Sequence, residues 1–173
     1  MIKYSIKIPY KKKVKNESKN KSNFKVLNSE IATENLNKCL DLYRKGKMKR
    51  ALKVLNKAIE YNPTNDSYYY IKIYFLYKMK KYKKIAEAYD RLIELYPECV
   101  SFYRDKSSLF LRELKDYKEA LRIVDKGLSI DPKNEDLIFS KIKILELLGR
   151  FQEILEIIIN FNPKNPNFYH MYI

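Results

Sequence analysis

The side chains able to do acid–base or nucleophilic chemistry are few. The 173 residues hold one histidine, His170, and two cysteines, Cys39 and Cys99. A catalytic triad, an imidazole-based metal site or a histidine general base would all have to draw on that one imidazole. Two thiols are too few for a disulfide scaffold or a four-ligand zinc site, and they suit a reducing, cytoplasmic setting. The three glycines, Gly46, Gly127 and Gly149, stand too far apart to form a phosphate-cradling loop. Acid pairs such as Glu94/Glu98 and Glu113/Asp116 lie beside lysines at helical spacing, the pattern of solvated salt bridges. The expectation is a non-enzymatic protein without cofactor or metal, whose function lies in its surface.

That surface is basic. Lys and Arg total 36 against 21 Asp and Glu, a net charge of +15, yet only seven of the 36 are arginines. Surfaces selected for phosphate enrich arginine, whose planar fork grips oxygens in pairs. Lysine, with the abundant Asn, Ile and Tyr, instead shares A/T-rich codons, so the charge is read first as genome composition on a solvated surface and second as a sign of an acidic partner. Residues 1–30 carry nine lysines against Glu17 and Glu30. The stretch 11–21 has almost nothing to bury and reads as a largely disordered basic tail. Ahead of it Ile2, Tyr4, Ile6 and Ile8 alternate with polar residues up to Pro9, a strand period too short to be stable alone. No apolar run approaches the roughly 20 residues of a membrane span, so no membrane partner is expected.

From residue 31 an internal repeat takes over. Lys57-Ala58-Ile59-Glu60-Tyr61-Asn62-Pro63, Arg91-Leu92-Ile93-Glu94-Leu95-Tyr96-Pro97 and Lys126-Gly127-Leu128-Ser129-Ile130-Asp131-Pro132 end alike, and Pro166 falls in step. Each unit splits into two amphipathic stretches around a basic turn at Lys45-Gly46-Lys47, Met79-Lys80-Lys81, Leu114-Lys115-Asp116 or Leu148-Gly149-Arg150. Apolar residues recur three and four apart on both sides, as in Leu52, Leu55, Ile59 and in Leu121, Val124, Leu128. Proline closes each second helix because it lacks the amide the next turn needs. Asn65 or Asp66, Ser101 and Asn134 are placed to cap the helix that follows. Helical hairpins in tandem are predicted.

At this point the array resembles tetratricopeptide repeats. The units run 32–65, 66–99, 101–134 and 135–168, with Val100 read as an inserted residue, residues 1–30 as a tail and 169–173 as a C-terminal tail. The usually aromatic position 17 holds Met48, Tyr82, Tyr117 and Phe151. Position 20, usually alanine, holds Ala51, Ile85, Ala120 and Ile154, and position 32 holds Pro63, Pro97, Pro132 and Pro166. Positions 4 and 7 depart from the family pattern in every unit. The positions the family keeps small sort by repeat: Cys39, Ala51, Ala58 and Ser108, Ala120, Gly127 in units one and three, but Ile73, Ile85, Leu92 and Ile142, Ile154, Phe161 in units two and four. Tight hairpins should therefore alternate with wider ones. The resemblance implies an all-α, right-handed α-solenoid of four hairpins.

It also implies a function, as a protein–protein interaction module that binds a peptide or protein segment in a concave groove. Carried over by position, the groove would be lined by Leu36, Leu40, Tyr43 and Arg44, then by Tyr70, Tyr74, Tyr77 and Lys78. Phe102, Asp105, Leu109 and Arg112 follow, then Phe139, Lys143 and Glu146. Tyr70, Tyr74 and Tyr77 share one helical face, and a stripe of that kind suits either a partner or a neighbouring helix. The carboxylate clamp of chaperone-tail-binding members begins with Lys at position 5 and Asn at position 9. Here those positions hold Leu36/Leu40, Tyr70/Tyr74, Asp105/Leu109 and Phe139/Lys143, so that mode is not expected. Two other readings compete: a basic RNA- or ribosome-associated protein using residues 1–30 for phosphate contacts, and a structural adaptor subunit. The last helix, from Phe151, is apolar around much of its circumference. Ile154, Leu155, Ile157, Ile158 and Phe161 are therefore expected to mediate a homodimer through the last repeat, or docking to a larger partner.

Overall fold

The computed structural model describes residues 17–160. Among them eight α-helices follow one another and no strand occurs. They are α1 (Glu17–Arg44), α2 (Met48–Tyr61), α3 (Asp66–Lys78), α4 (Tyr82–Leu95), α5 (Val100–Leu109), α6 (Tyr117–Ile130), α7 (Glu135–Leu147) and α8 (Phe151–Asn160), with a π-helical turn, Phe110–Leu114, extending α5. Consecutive helices pair as hairpins: α1 with α2, α3 with α4, α5 with α6 and α7 with α8. α1 starts at Glu17, inside the segment read from sequence as a tail, whose earlier residues lie outside the described ones. So does the C-terminal tail.

The chain divides into two compact units between Pro63 and Thr64. The first carries α1 and α2, with Ala32, Cys39, Ala51, Leu55 and Ala58 fully buried. The second carries α3 to α8. An apolar cluster in it runs from Leu111 through α6 and α7 to Ile154 and includes Ala120, Val124, Leu137, Ile142 and Leu145.

Local signals set the helix ends. The Asn65 side chain accepts from the Ser67 amide, Asp116 from that of Glu119, and Asn134 from that of Leu137, relieving donors the first turn cannot satisfy internally. Ser101 does not cap α5 as expected. The helix starts at Val100 after Cys99, and the Ser101 hydroxyl sits 3.2 Å from Cys99 Sγ. Each hairpin turn holds one residue in the left-handed region: Gly46, Lys80, Lys115 and Gly149, with φ of 69°, 53°, 57° and 70°.

Small side chains sit at several of the helix contacts. In the first and third units the small residues Cys39, Ala51, Ala58 and Ala120 are fully buried. Gly127 shows the limit. A Cβ there would lie 2.7 Å from Leu137 Cδ1 and 3.1 Å from Tyr103 Cβ, so α6 meets α5 and α7 closely and a side chain there would have to displace Leu137.

Candidate binding face

The third hairpin is one residue longer than the others, and burial locates the extra residue. Tyr68, Tyr69 and Phe75 of α3 are buried, and Phe102, Tyr103 and Leu109 are buried at +34. Leu76 of α3, however, corresponds to buried Leu111 at +35. The register therefore changes at Phe110, within the π-turn, where the amide of Lys115 bonds the Phe110 carbonyl five residues back. A π-turn is the way a helix absorbs one added residue.

This corrects the sequence reading, which placed the insertion at Val100. Val100 is the first helical residue, equivalent to Asp66 and Glu135. Phe102 and Leu109, expected to line the groove, are buried instead. The small contact residue is Ser107, not Ser108: its side chain is buried and its hydroxyl donates to the Ala120 carbonyl at 3.2 Å. By the corrected register Ser101, Arg104 and Ser108 take the outward positions of α5, and Arg112 keeps its place.

The α3 tyrosines remain at the surface. Tyr70, Tyr74 and Tyr77 are 48%, 45% and 51% exposed. Tyr70 packs at 6.3 Å on the ring of Phe102, and Lys78 Nζ lies 5.5 Å from the centre of the Tyr74 ring. Tyr77 donates to Glu113 Oε1 at 2.7 Å and meets Tyr82 edge-on at 5.9 Å. The hydrogen bonds from Tyr77 and Tyr82 hold the Glu113 carboxyl below its ordinary range, and the same bonds raise both phenols. This latch ties the end of α3 to the π-turn. Neither Tyr82 nor Glu113 was singled out from sequence for this part, since their meeting depends on the added turn.

Beside the latch lies an open cavity of about 240 Å³. Ile73 and Tyr77 of α3 and Ile85 and Tyr89 of α4 form one side; Asp105, Ser108 and Leu109 of α5 with Arg112 and Glu113 of the π-turn form the other. Burial, reinforced by the nearby Asp105 and Tyr70, pushes the Tyr89 phenol up to about 12. Arg104 reaches away to Asp136 at 2.8 Å and also holds Asp105 at 3.1 Å.

The other expected residues differ in exposure. In the first unit Leu36, Leu40 and Tyr43 are half-buried and Arg44 is exposed, paired with Asp41 at 3.2 Å. In the fourth hairpin Phe139 packs partly against the core, and Lys143 and Glu146 are exposed. The last helix needs a further correction. Ile154 is buried, and Ile157 and Ile158 are partly buried against the core, so of the described residues expected to mediate association Leu155 is the one that is largely exposed. The exposed stripe is Phe151, Leu155 and Ile159. Phe161 lies outside the described residues.

Among the described residues no group of three or more His, Cys, Asp or Glu is placed to hold a metal ion, and no helix is long and apolar enough to cross a membrane. Burial pushes the Cys39 thiol up to about 11, so it serves as a small core residue rather than a nucleophile.

Comparison with known proteins places these hairpins. The sequence matches the family described as Tetratricopeptide repeat over residues 42–65 and 106–134. Both stretches lie in the hairpins with small contact residues. A TPR repeat-containing protein of Methanocaldococcus jannaschii is 28% identical over 109 residues, covering 63% of this chain and 19% of that protein. The chain thus matches about a fifth of its relative's length. Among solved structures, MamA superposes with a TM-score of 0.56 at 17% identity, over 81% of this chain and 87% of that one. The TPR domain of Arabidopsis OM64 gives 0.50 at 18%, over 69% and 98%. The first TPR of Spaghetti (RPAP3), bound to the HSP90 peptide SRMEEVD, gives 0.52 at 18%, over 70% and 95%. In repeat sequence and in helical-hairpin fold alike, the chain resembles the tetratricopeptide repeat proteins.

Proposed function

We propose that the chain is a non-catalytic interaction module that binds a protein segment across α3, α5 and the π-turn. The carrying observation is the row Tyr70, Tyr74 and Tyr77, three large rings half in solvent on one face of α3. Aromatic rings with a polar tip lose little entropy on binding and recur as interface anchors. The fold supports the reading, since one structural relative holds a peptide. Panning the full chain against a random dodecapeptide library should enrich binding sequences. Tyr74→Ala should then weaken the enriched peptides by about 1–3 kcal/mol in fluorescence anisotropy, with the circular dichroism spectrum unchanged. A folded chain that enriches nothing removes this reading.

A separate observation supports self-association. Phe151, Leu155 and Ile159 are 64%, 52% and 80% exposed on one face of α8. The stripe is symmetric about Leu155, so an antiparallel two-fold would set Leu155 on its own copy and Phe151 on Ile159 of the other. Three side chains cover less than the roughly 800 Å² per partner of a stable complex, so the homodimer is weak and reversible.

A further inference from the structure

We infer that the cavity between α3, α4 and the π-turn is an anchor site for one glutamate side chain of the bound segment, with its stem on Ile73, Ile85 and Leu109 and its carboxylate at Arg112. This rests on the reading that the face binds a protein segment. The cavity, about 240 Å³, equals roughly eight waters at about 30 Å³ each. That suits one side chain and falls below the usual range of cofactor pockets.

The charge preference follows from which groups are already satisfied. Asp105 is held by Arg104 Nη2 at 3.1 Å and Nε at 3.2 Å. Glu113 accepts from Tyr77 and Tyr82, with Lys80 and Lys115 nearby. Both wall carboxylates thus already have partners, although Arg104 is shared with Asp136, and Lys80 and Lys115 add positive charge beside Glu113. Arg112 is exposed, and neither it, Ser108 nor Tyr89 makes a hydrogen bond or ion pair among the described residues. Tyr89 stays protonated, and so a donor, well above neutral pH. Three donors with spare capacity over an apolar floor suit a carboxylate on an aliphatic stem. The π-turn places Arg112 at this wall: without Phe110, residues after Leu109 would be rotated by about 100°.

The test uses fluorescein-labelled peptides enriched on the full wild-type chain. The expected result is a shared acidic position whose Glu→Gln replacement weakens binding about tenfold. On Arg112→Glu the same replacement should cost nothing and Glu→Lys should bind better, while Arg112→Lys keeps part of the acid preference. Circular dichroism and the melting midpoint should be unchanged in both variants. Enriched peptides without a common acid, or a Glu→Gln cost equal on wild type and Arg112→Glu, would overturn the anchor while leaving Tyr74-dependent binding intact. No enrichment at all would remove both.

Discussion

Lys106 shows how one side chain can be needed for its length more than for its charge. Its side chain is 9% exposed, its Nζ meets Asp90 Oδ1 at 2.5 Å, and it lies 5.8 Å from the Phe110 ring. Asp90 is more than half exposed. Removing the acid therefore strands a buried ammonium, whereas removing the ammonium frees an acid that water can solvate. Asp90→Asn should cost about 1–3 kcal/mol, and Lys106→Met about 0–1 kcal/mol because the stem's packing survives. Urea denaturation of both variants checks this; a larger loss for Lys106→Met would contradict it. The sequence did not show this pair, since the partners lie sixteen positions apart on consecutive helices. It did show Cys39 as a core residue, because a small side chain recurs at that contact in the first repeat.

At the scale of elements, two kinds of glycine do opposite work. Gly46 and Gly149 have φ near +70° and open space where a Cβ would go, whereas Gly127 has a helical backbone and a Cβ there would press on Leu137 and Tyr103. The first two are required by conformation and the third by contact. Lys80 and Lys115 occupy the same left-handed turn position with a Cβ, which is strained for L-residues. Lys80→Gly and Lys115→Gly should each raise stability by about 0.5–1 kcal/mol, the relieved strain outweighing the entropy a glycine adds to the unfolded chain. Thermal melts would show midpoints a few degrees higher, and lower midpoints would refute the argument. The hairpins, their turns and most caps were legible, because proline, glycine and apolar spacing all report local geometry. The π-turn was not. Pro97 and Pro132 bracket an extra residue without locating it, and only the burial of Phe102, Leu109 and Leu111 together fixes it at Phe110.

For the whole molecule, the last helix links composition to association. Its sequence is apolar on most sides, and the core takes up Ile154 fully and Ile157 and Ile158 in part. Only a hairpin partner decides which side of such a helix is left over, and α7 leaves Phe151, Leu155 and Ile159. The net charge of +15 opposes bringing two copies together, but over distances longer than the Debye length, about 8 Å at physiological salt, that repulsion is screened. α8 itself carries Glu153 and Glu156 and no lysine or arginine, so like charge near the contact is acidic and sparse. Association should accordingly strengthen with salt, as screening removes repulsion while apolar burial persists. Sedimentation velocity from about 10 μM to 1 mM should show a concentration-dependent shift toward dimer, larger at 0.5 M than at 0.05 M salt. Leu155→Glu, at the two-fold centre, should abolish it, whereas Ile158→Glu should lower the melting midpoint because that side chain packs inward. A monomer across the whole range, or a dimer indifferent to Leu155→Glu, would rule out this interface.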